Sequence, residues 1–158
     1  MEARLAGALH EIARAAPAGR EDWWIIGSAA LVLAGLEGVE PADVDLLGSA
    51  ETLSLFLDNW QEQPGPAQPG TRFRSDPYHR VDRPGCLPIE TMGDLEVLSE
   101  SGWQKILPTT RLGVDIDGLP VFIPALDEQL AILQLFGREK DLAKIRLVEA
   151  ALRCRQTV

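Results

Sequence analysis

Apolar residues near the start of the chain fall at Leu5, Leu9, Ile12 and Ala16, which is helical spacing, and Pro17 ends the run. The pattern then shortens. "WWIIG" is brief, aromatic and β-branched, which predicts a buried strand. The Gly-Ser that closes it opens a small-residue helix over "AALVLAGLEG", with Ser28 as the expected N-cap and a stop between Gly35 and Gly38. "ADVDLLG" predicts a second strand. Leu53, Phe56, Leu57 and Trp60 then mark one face of a helix over "AETLSLFLDNWQEQ".

"PGPAQPG", residues 64 to 70, is Pro/Gly-rich and short, so it reads as a surface loop inside a domain. "TRFRS" and "CLPIETMGDL" predict further strands around a polar, partly basic connection. "LGVDI" and "LPVFI" flank Asp117-Gly118, a strong hairpin signal. The last segment, "ALDEQLAILQLFGREKDLAKIRLVEAALRCRQ", is helical with a break at Gly137. The sum is an α+β fold, a small mixed β-sheet of about five strands with helices packed on it. One domain over residues 1–158 is expected, since the chain is 46% hydrophobic and long enough for a real core.

Charge narrows the partners. With 24 acidic and 15 basic residues the net charge is −9, which disfavours nucleic acid as a general ligand because phosphate neutralisation needs Lys and Arg. A local basic patch remains the route to it. Cys86 and Cys154 form no Cys-x-x-Cys, and His10 and His79 are too few for a soft-metal cluster. Both thiols are expected free in a reducing compartment. No uncharged apolar stretch approaches the roughly 18 residues of a membrane span, and no signal peptide is visible, so the expected location is the cytoplasm.

The candidate chemistry lies in "GSAALVLAGLEGVEPADVDLLGS", residues 27 to 49. An acid-x-acid spacing has no weight alone, because a chain this acidic yields roughly four such pairs by chance and this one holds four. Context separates them. Asp115/Asp117 leads into the hairpin turn, where Asp117 accepts left-handed geometry beside Gly118. Glu139/Asp141 falls in a helical segment, where i and i+2 do not share a face. Asp94/Glu96 sits beside Gly93 at a strand end and has no single reading. Asp43 and Asp45 would leave one side of a strand together, about 6.6 Å apart at Cα. Two such carboxylates are either solvated at a strand edge or compensated by a hard divalent cation such as Mg²⁺. The Gly-Ser turn before them favours the cation. Gly27 allows close approach to the backbone, the helix start behind it offers free N–H groups to an anion, and Ser28 adds a hydroxyl. An anion site and a cation site on neighbouring strands describe a metal-nucleotide pocket.

These residues resemble the nucleotidyltransferase superfamily of polymerase-beta-like fold, whose signature is an apolar strand, Gly-Ser, a helix and an Asp-x-Asp strand, here "WWIIGS…PADVDLL". "FIPALDEQLAILQLFGREKDLAKIRLV" resembles the minimal antibiotic-modifying and abortive-infection-toxin members, with Arg138, Lys140 and Asp141 in the Arg-x-Lys-Asp stretch. The resemblance covers most of residues 23 to 150. It implies a third carboxylate on an adjacent strand, Glu90, with Asp94 as the alternative. It implies two Mg²⁺ ions about 3.5–4 Å apart on Asp43, Asp45 and Glu90. It also implies a nucleoside triphosphate, ATP among them, held by Gly27, Ser28 and Lys140. A hydroxyl of a small molecule, a protein or tRNA would attack the α-phosphate, with Glu90 accepting its proton.

Arg72, Arg74, His79, Arg80 and Arg83 cluster within twelve residues and are either a phosphate clamp or a solvated loop. One departure from the family pattern is Gln134, which stands where a lysine often lies. That leaves two rivals to an active enzyme. The first is a catalytically silent domain used as a nucleotide sensor or antitoxin-type binding partner. The second is a generic α+β binding module with solvated aspartates.

Overall fold

A computed structural model of the protein describes residues 1–157. The chain opens with α1 (Ala3–Ala15), whose N-terminus is capped by the Glu2 carboxylate accepting from the amides of Arg4 and Leu5. Then come β1 (Trp23–Ile26), α2 (Gly27–Leu33), β2 (Val44–Gly48) and α3 (Ala50–Asn59). Seven short strands follow: β3 (Gln68–Pro69), β4 (Phe73–Ser75), β5 (Tyr78–Val81), β6 (Ile89–Gly93), β7 (Glu96–Ser99), β8 (Gly102–Lys105) and β9 (Leu112–Ile116). The chain ends with β10 (Leu119–Ile123), α4 (Leu126–Phe136), a 3-10 turn over Glu139–Asp141 and α5 (Leu142–Gln156).

The fold is α+β, as expected, but its strands divide among three sheets. The main sheet has the order β1-β2-β6-β5, with β2 and β6 parallel and the outer pairs antiparallel. β3-β4-β7-β8 forms a second, antiparallel sheet, and β9 with β10 forms a hairpin.

β1 is apolar throughout and β2 nearly so because both of their faces are covered. Trp23 and Ile25 of β1 enter one core with Val44 and Leu46 of β2, Ile89 of β6, and residues of α1 and α3. Trp24, Ile26 and Leu47 point the other way, into a second core with Leu95, Val97, Ile106 and Phe136. Asp45 shares the parity of Leu47 and is paired in register with Ile26 on one side and Glu90 on the other. The two carboxylates therefore emerge side by side on the second face, at the end of its apolar layer.

Several expectations need correction. Ser28 is not an N-cap: α2 begins at Gly27, its cap position is Ile26, and no side chain bonds the free amides. α2 is also shorter than expected. Gly35 adopts a left-handed conformation (φ 90°) and the Leu36 amide donates to the Leu31 carbonyl, a closure that ends the helix. β5 lies in the stretch expected to be a connection. It is an edge strand with one outward face, so its polar residues hide its pairing with β6. Glu139 and Asp141 sit on a 3-10 turn rather than a continuous helix, and Asp141 is fully buried. The hairpin at Asp117-Gly118 forms as expected, with both residues at positive φ. Gly137 ends α4 in the left-handed region, also as expected. No helix is long and apolar enough to cross a membrane among the described residues.

Candidate functional site

β1 runs straight into α2 with no loop, so the turn at their junction must be made by Gly27 itself, at φ 71°. A Cβ at Gly27 would stand 2.8 Å from the Asp45 Oδ2. Only a bare α-carbon fits there, and it brings the start of α2 against the Asp45 carboxylate. Asp43 precedes β2, Asp45 lies on it, and Glu90 lies directly across on β6. One carboxylate oxygen from each of the three falls within 4.8 Å of the others, and all three side chains are half-buried.

Crowding of this kind is costly. Burial pushes the Asp45 carboxyl up to about 7, and the charges of Asp43 and Glu90 push it the same way. Arg138 and Lys140 act against this rise. Three acids that repel one another, with only oxygen donors, form a donor set that fits a hard divalent cation.

The triad lies in a cleft of about 440 Å³ that also exposes Gly27 and Ser28. The same cleft is lined by the cations Arg72, Arg138, Lys140 and Lys144 and by the apolar side chains of Phe73, Met92, Leu95 and Phe136. Asp141 organises the cations. Its carboxylate receives Arg138 Nε at 2.7 Å and lies 3.7 Å from Lys144 Nζ. Arg72 donates to the Phe136 carbonyl at the end of α4. Phe73 and Phe136 meet edge to face at 5.1 Å.

Asp43, Asp45, Glu90, Gly27, Ser28 and Lys140 thus all line one cleft. Asp94 does not. It sits in a turn at φ 46° and pairs with Lys105 at 3.2 Å. Of the five clustered bases only Arg72 reaches the lining. Arg74 pairs with Glu96, His79 and Arg83 with Glu62, and Arg80 with Asp82. These pairs balance local charge instead of forming a clamp. Gln134 is exposed and off the lining, where α4 offers Leu133 and Phe136.

Two titratable lining residues, Lys144 and Tyr78, lie outside the set that the sequence singles out. Lys144 follows Lys140 by four residues, a spacing that puts both on one helical face, and that signal is present in the sequence. Tyr78 sits on β5 opposite Met92, one alternate position from the partner of Glu90. Burial raises its hydroxyl above the ordinary tyrosine value, and the nearby Glu90 charge acts the same way. Its role is hidden in the sequence because β5 itself is.

No protein-family model and no curated protein matches the sequence. Solved structures do resemble it. A candidate nucleotidyltransferase from Thermotoga maritima superposes with a TM-score of 0.71 at 19% identity, over 87% of this chain and 88% of its own. The antibiotic-resistance factor ANT(2'')-Ia superposes with a TM-score of 0.59 at 14% identity, over 96% of this chain and 86% of its own. At such identities the likeness is one of architecture, and the architecture of this chain is the nucleotidyltransferase fold.

Proposed function

We propose that the protein is an Mg²⁺-dependent nucleotidyltransferase of the minimal, single-domain type, moving a nucleoside monophosphate from a nucleoside triphosphate to an acceptor hydroxyl. The observation that carries this reading is the meeting of Asp43, Asp45 and Glu90 in one cleft with the Gly27-Ser28 turn and a wall of cations. Those three carboxylates would hold the metal, two ions in this reading. When bound, the metal supplies charge neutralisation at the phosphates and acidifies the acceptor hydroxyl.

The chain's own residues do the rest. Gly27 and Ser28 receive the triphosphate at the start of α2, where free N–H groups face the cleft. Lys140 and Lys144 approach the phosphates as point charges, and Arg72 and Arg138 can bind them in pairs of hydrogen bonds. The acceptor oxygen forms its bond to the α-phosphorus as the bond to the bridging oxygen breaks, and pyrophosphate leaves with that electron pair. Glu90 takes the hydroxyl proton on a carboxylate oxygen. The Phe73–Phe136 wall offers aromatic edges to a base or an acceptor ring. The acceptor is a small molecule, a protein side chain or tRNA, and the net charge of −9 ranks RNA last. Both cysteines are unpaired, in keeping with work in the cytoplasm.

The test is transfer from α-labelled triphosphates with Mg²⁺ to candidate acceptors, in the parent, Asp45→Asn and Glu90→Gln. Transfer lost in both variants supports the assignment. Mg²⁺-dependent triphosphate binding without transfer would instead identify a silent sensor or antitoxin-type partner. No binding of any triphosphate would sink the nucleotide site altogether.

A further inference from the structure

At the far end of β1 from the triad, a second cleft of about 270 Å³ opens between the end of α1, residues 19–21 and the β9–β10 hairpin. It shares no lining residue with the first. Pro17, Trp23, Pro120 and Phe122 make most of its bed apolar. Two cations line the cleft, Arg20, which pairs with Glu51, and Arg111, which stands over that bed. The Arg111 guanidinium carbon lies 3.4 Å from the centre of the Phe122 ring and 5.2 Å from that of Trp23.

Arg111 is compensated only at a distance, by the charges of Glu21 and Asp22. Its Nε makes one long bond, 3.4 Å, to the Trp23 carbonyl, and its Nη2 is buried with no hydrogen-bond partner. Among the described residues no carboxylate forms an ion pair with it. Asp22 is engaged by the Thr52 hydroxyl at 2.5 Å, and Glu51 is engaged by Arg20 at 2.6 Å. Arginine does not escape such a site by losing its proton. A guanidinium pressed onto aromatic rings with idle donors is a standing cost in a chain that carries 24 acids able to relieve it.

We propose that this cleft binds a carboxylate borne on an apolar group, with Arg111 as the anion receptor and the Trp23, Phe122, Pro17 and Pro120 surfaces as the seat for the apolar part. With Nε bonded to Trp23 and Nη2 buried, the guanidinium lying flat on Phe122 has Nη1 left to meet a carboxylate. A more highly charged anion is disfavoured by Glu21, which also lines the cleft. The carboxylate belongs either to a free organic acid or to the end of a peptide chain.

Thermal unfolding of the full chain tests this with four probes: benzoate, benzamide, a short peptide ending in Pro-Phe with a free carboxylate, and the same peptide amidated. Benzoate or the free-acid peptide should raise Tm with concentration, and the two uncharged counterparts should not. Tighter binding of the peptide identifies a chain terminus as the source; tighter binding of benzoate identifies a free acid. Arg111→Gln should weaken the response about tenfold or more. Arg111→Leu, which removes the charge, should abolish it while raising the Tm of the free protein. No response from either carboxylate in the parent, or equal responses to acid and amide, overturns the proposal. So does a response that both variants retain.

Discussion

The Asp45 carboxylate occupies the space that a side chain on Gly27 would need, with Oδ2 2.8 Å from the position of a Cβ there. The Gly27 turn and the strand that carries Asp45 are therefore one packed unit. Gly27→Ala must either displace Asp45 or shift the turn, and it does so at a φ of 71° that disfavours any side chain. The expected cost is about 2 kcal/mol of stability. The more telling readout is functional: the Mg²⁺-dependent rise in Tm with triphosphate should be lost even where the fold survives. An Ala variant that keeps both stability and that response would show that the turn does not depend on Asp45.

Protonation of Asp45 gives a prediction with a definite sign. Its folded value is about 7, above the ordinary 3.8 of an unfolded chain. Between those limits the folded protein holds a proton that the unfolded one lacks. This contribution to stability is fully present below about pH 4 and is lost as pH rises through about 7. Metal-free protein should thus lose stability from pH 5 to 8 more steeply than Asp45→Asn, whose side chain cannot ionise. Added Mg²⁺ should reverse the trend, since it binds the ionised triad. Its stabilising effect should grow from pH 6 to 8. Melting curves across that range, with EDTA or with Mg²⁺, check both limbs, and parallel slopes in parent and variant would remove Asp45 as the titrating group.

What the sequence discloses follows from how local each signal is. Gly27-Ser28 and Asp43/Asp45 are short motifs on consecutive elements, so their juxtaposition is legible in the residues alone. Glu90 requires a resemblance, because only the parallel pairing of β2 with β6 sets it beside Asp45. The β7–β8 hairpin carries no such signal: "EVLSESGWQK" lacks clean alternation, and its turn relies on Gly102 at φ 102°. The basic stretch from Arg72 to Arg83 misleads for a related reason. Its acidic partners Glu62 and Glu96 lie in other segments, and only folding pairs them.

Asp141 shows how a buried charge can organise a binding wall. It is fully buried, and its carboxylate holds Arg138 while facing Lys144. Asp141→Asn keeps the shape but removes the charge from both contacts. A loss of about 2 kcal/mol is expected, the scale of hydrogen bonds to charged groups. Arg138 is partly exposed, so its freed charge can be hydrated, and the larger cost of an isolated buried ion does not apply. Triphosphate affinity should fall as well, because two cations lose their anchor. Isothermal titration with a triphosphate, read beside the unfolding free energy, separates the effects. Unchanged affinity in a destabilised variant would assign Asp141 to the fold alone.

Tyr78 lines the cleft from β5, one alternate position from the partner of Glu90, near enough for the Glu90 charge to act on its hydroxyl. A hydroxyl there is placed to orient Glu90 toward the cleft. Tyr78→Phe keeps the ring against its neighbours and removes only the hydroxyl. Stability should change by less than about 1 kcal/mol, because only a half-buried hydroxyl is lost. Metal affinity should fall about tenfold, the usual cost of losing a group that orients a ligand. Mn²⁺ titration followed by the rise in Tm measures this without any turnover assay. Equal Mn²⁺ midpoints for parent and variant would mean that Glu90 is oriented by the strand alone, and that Tyr78 serves only to close the wall of the cleft.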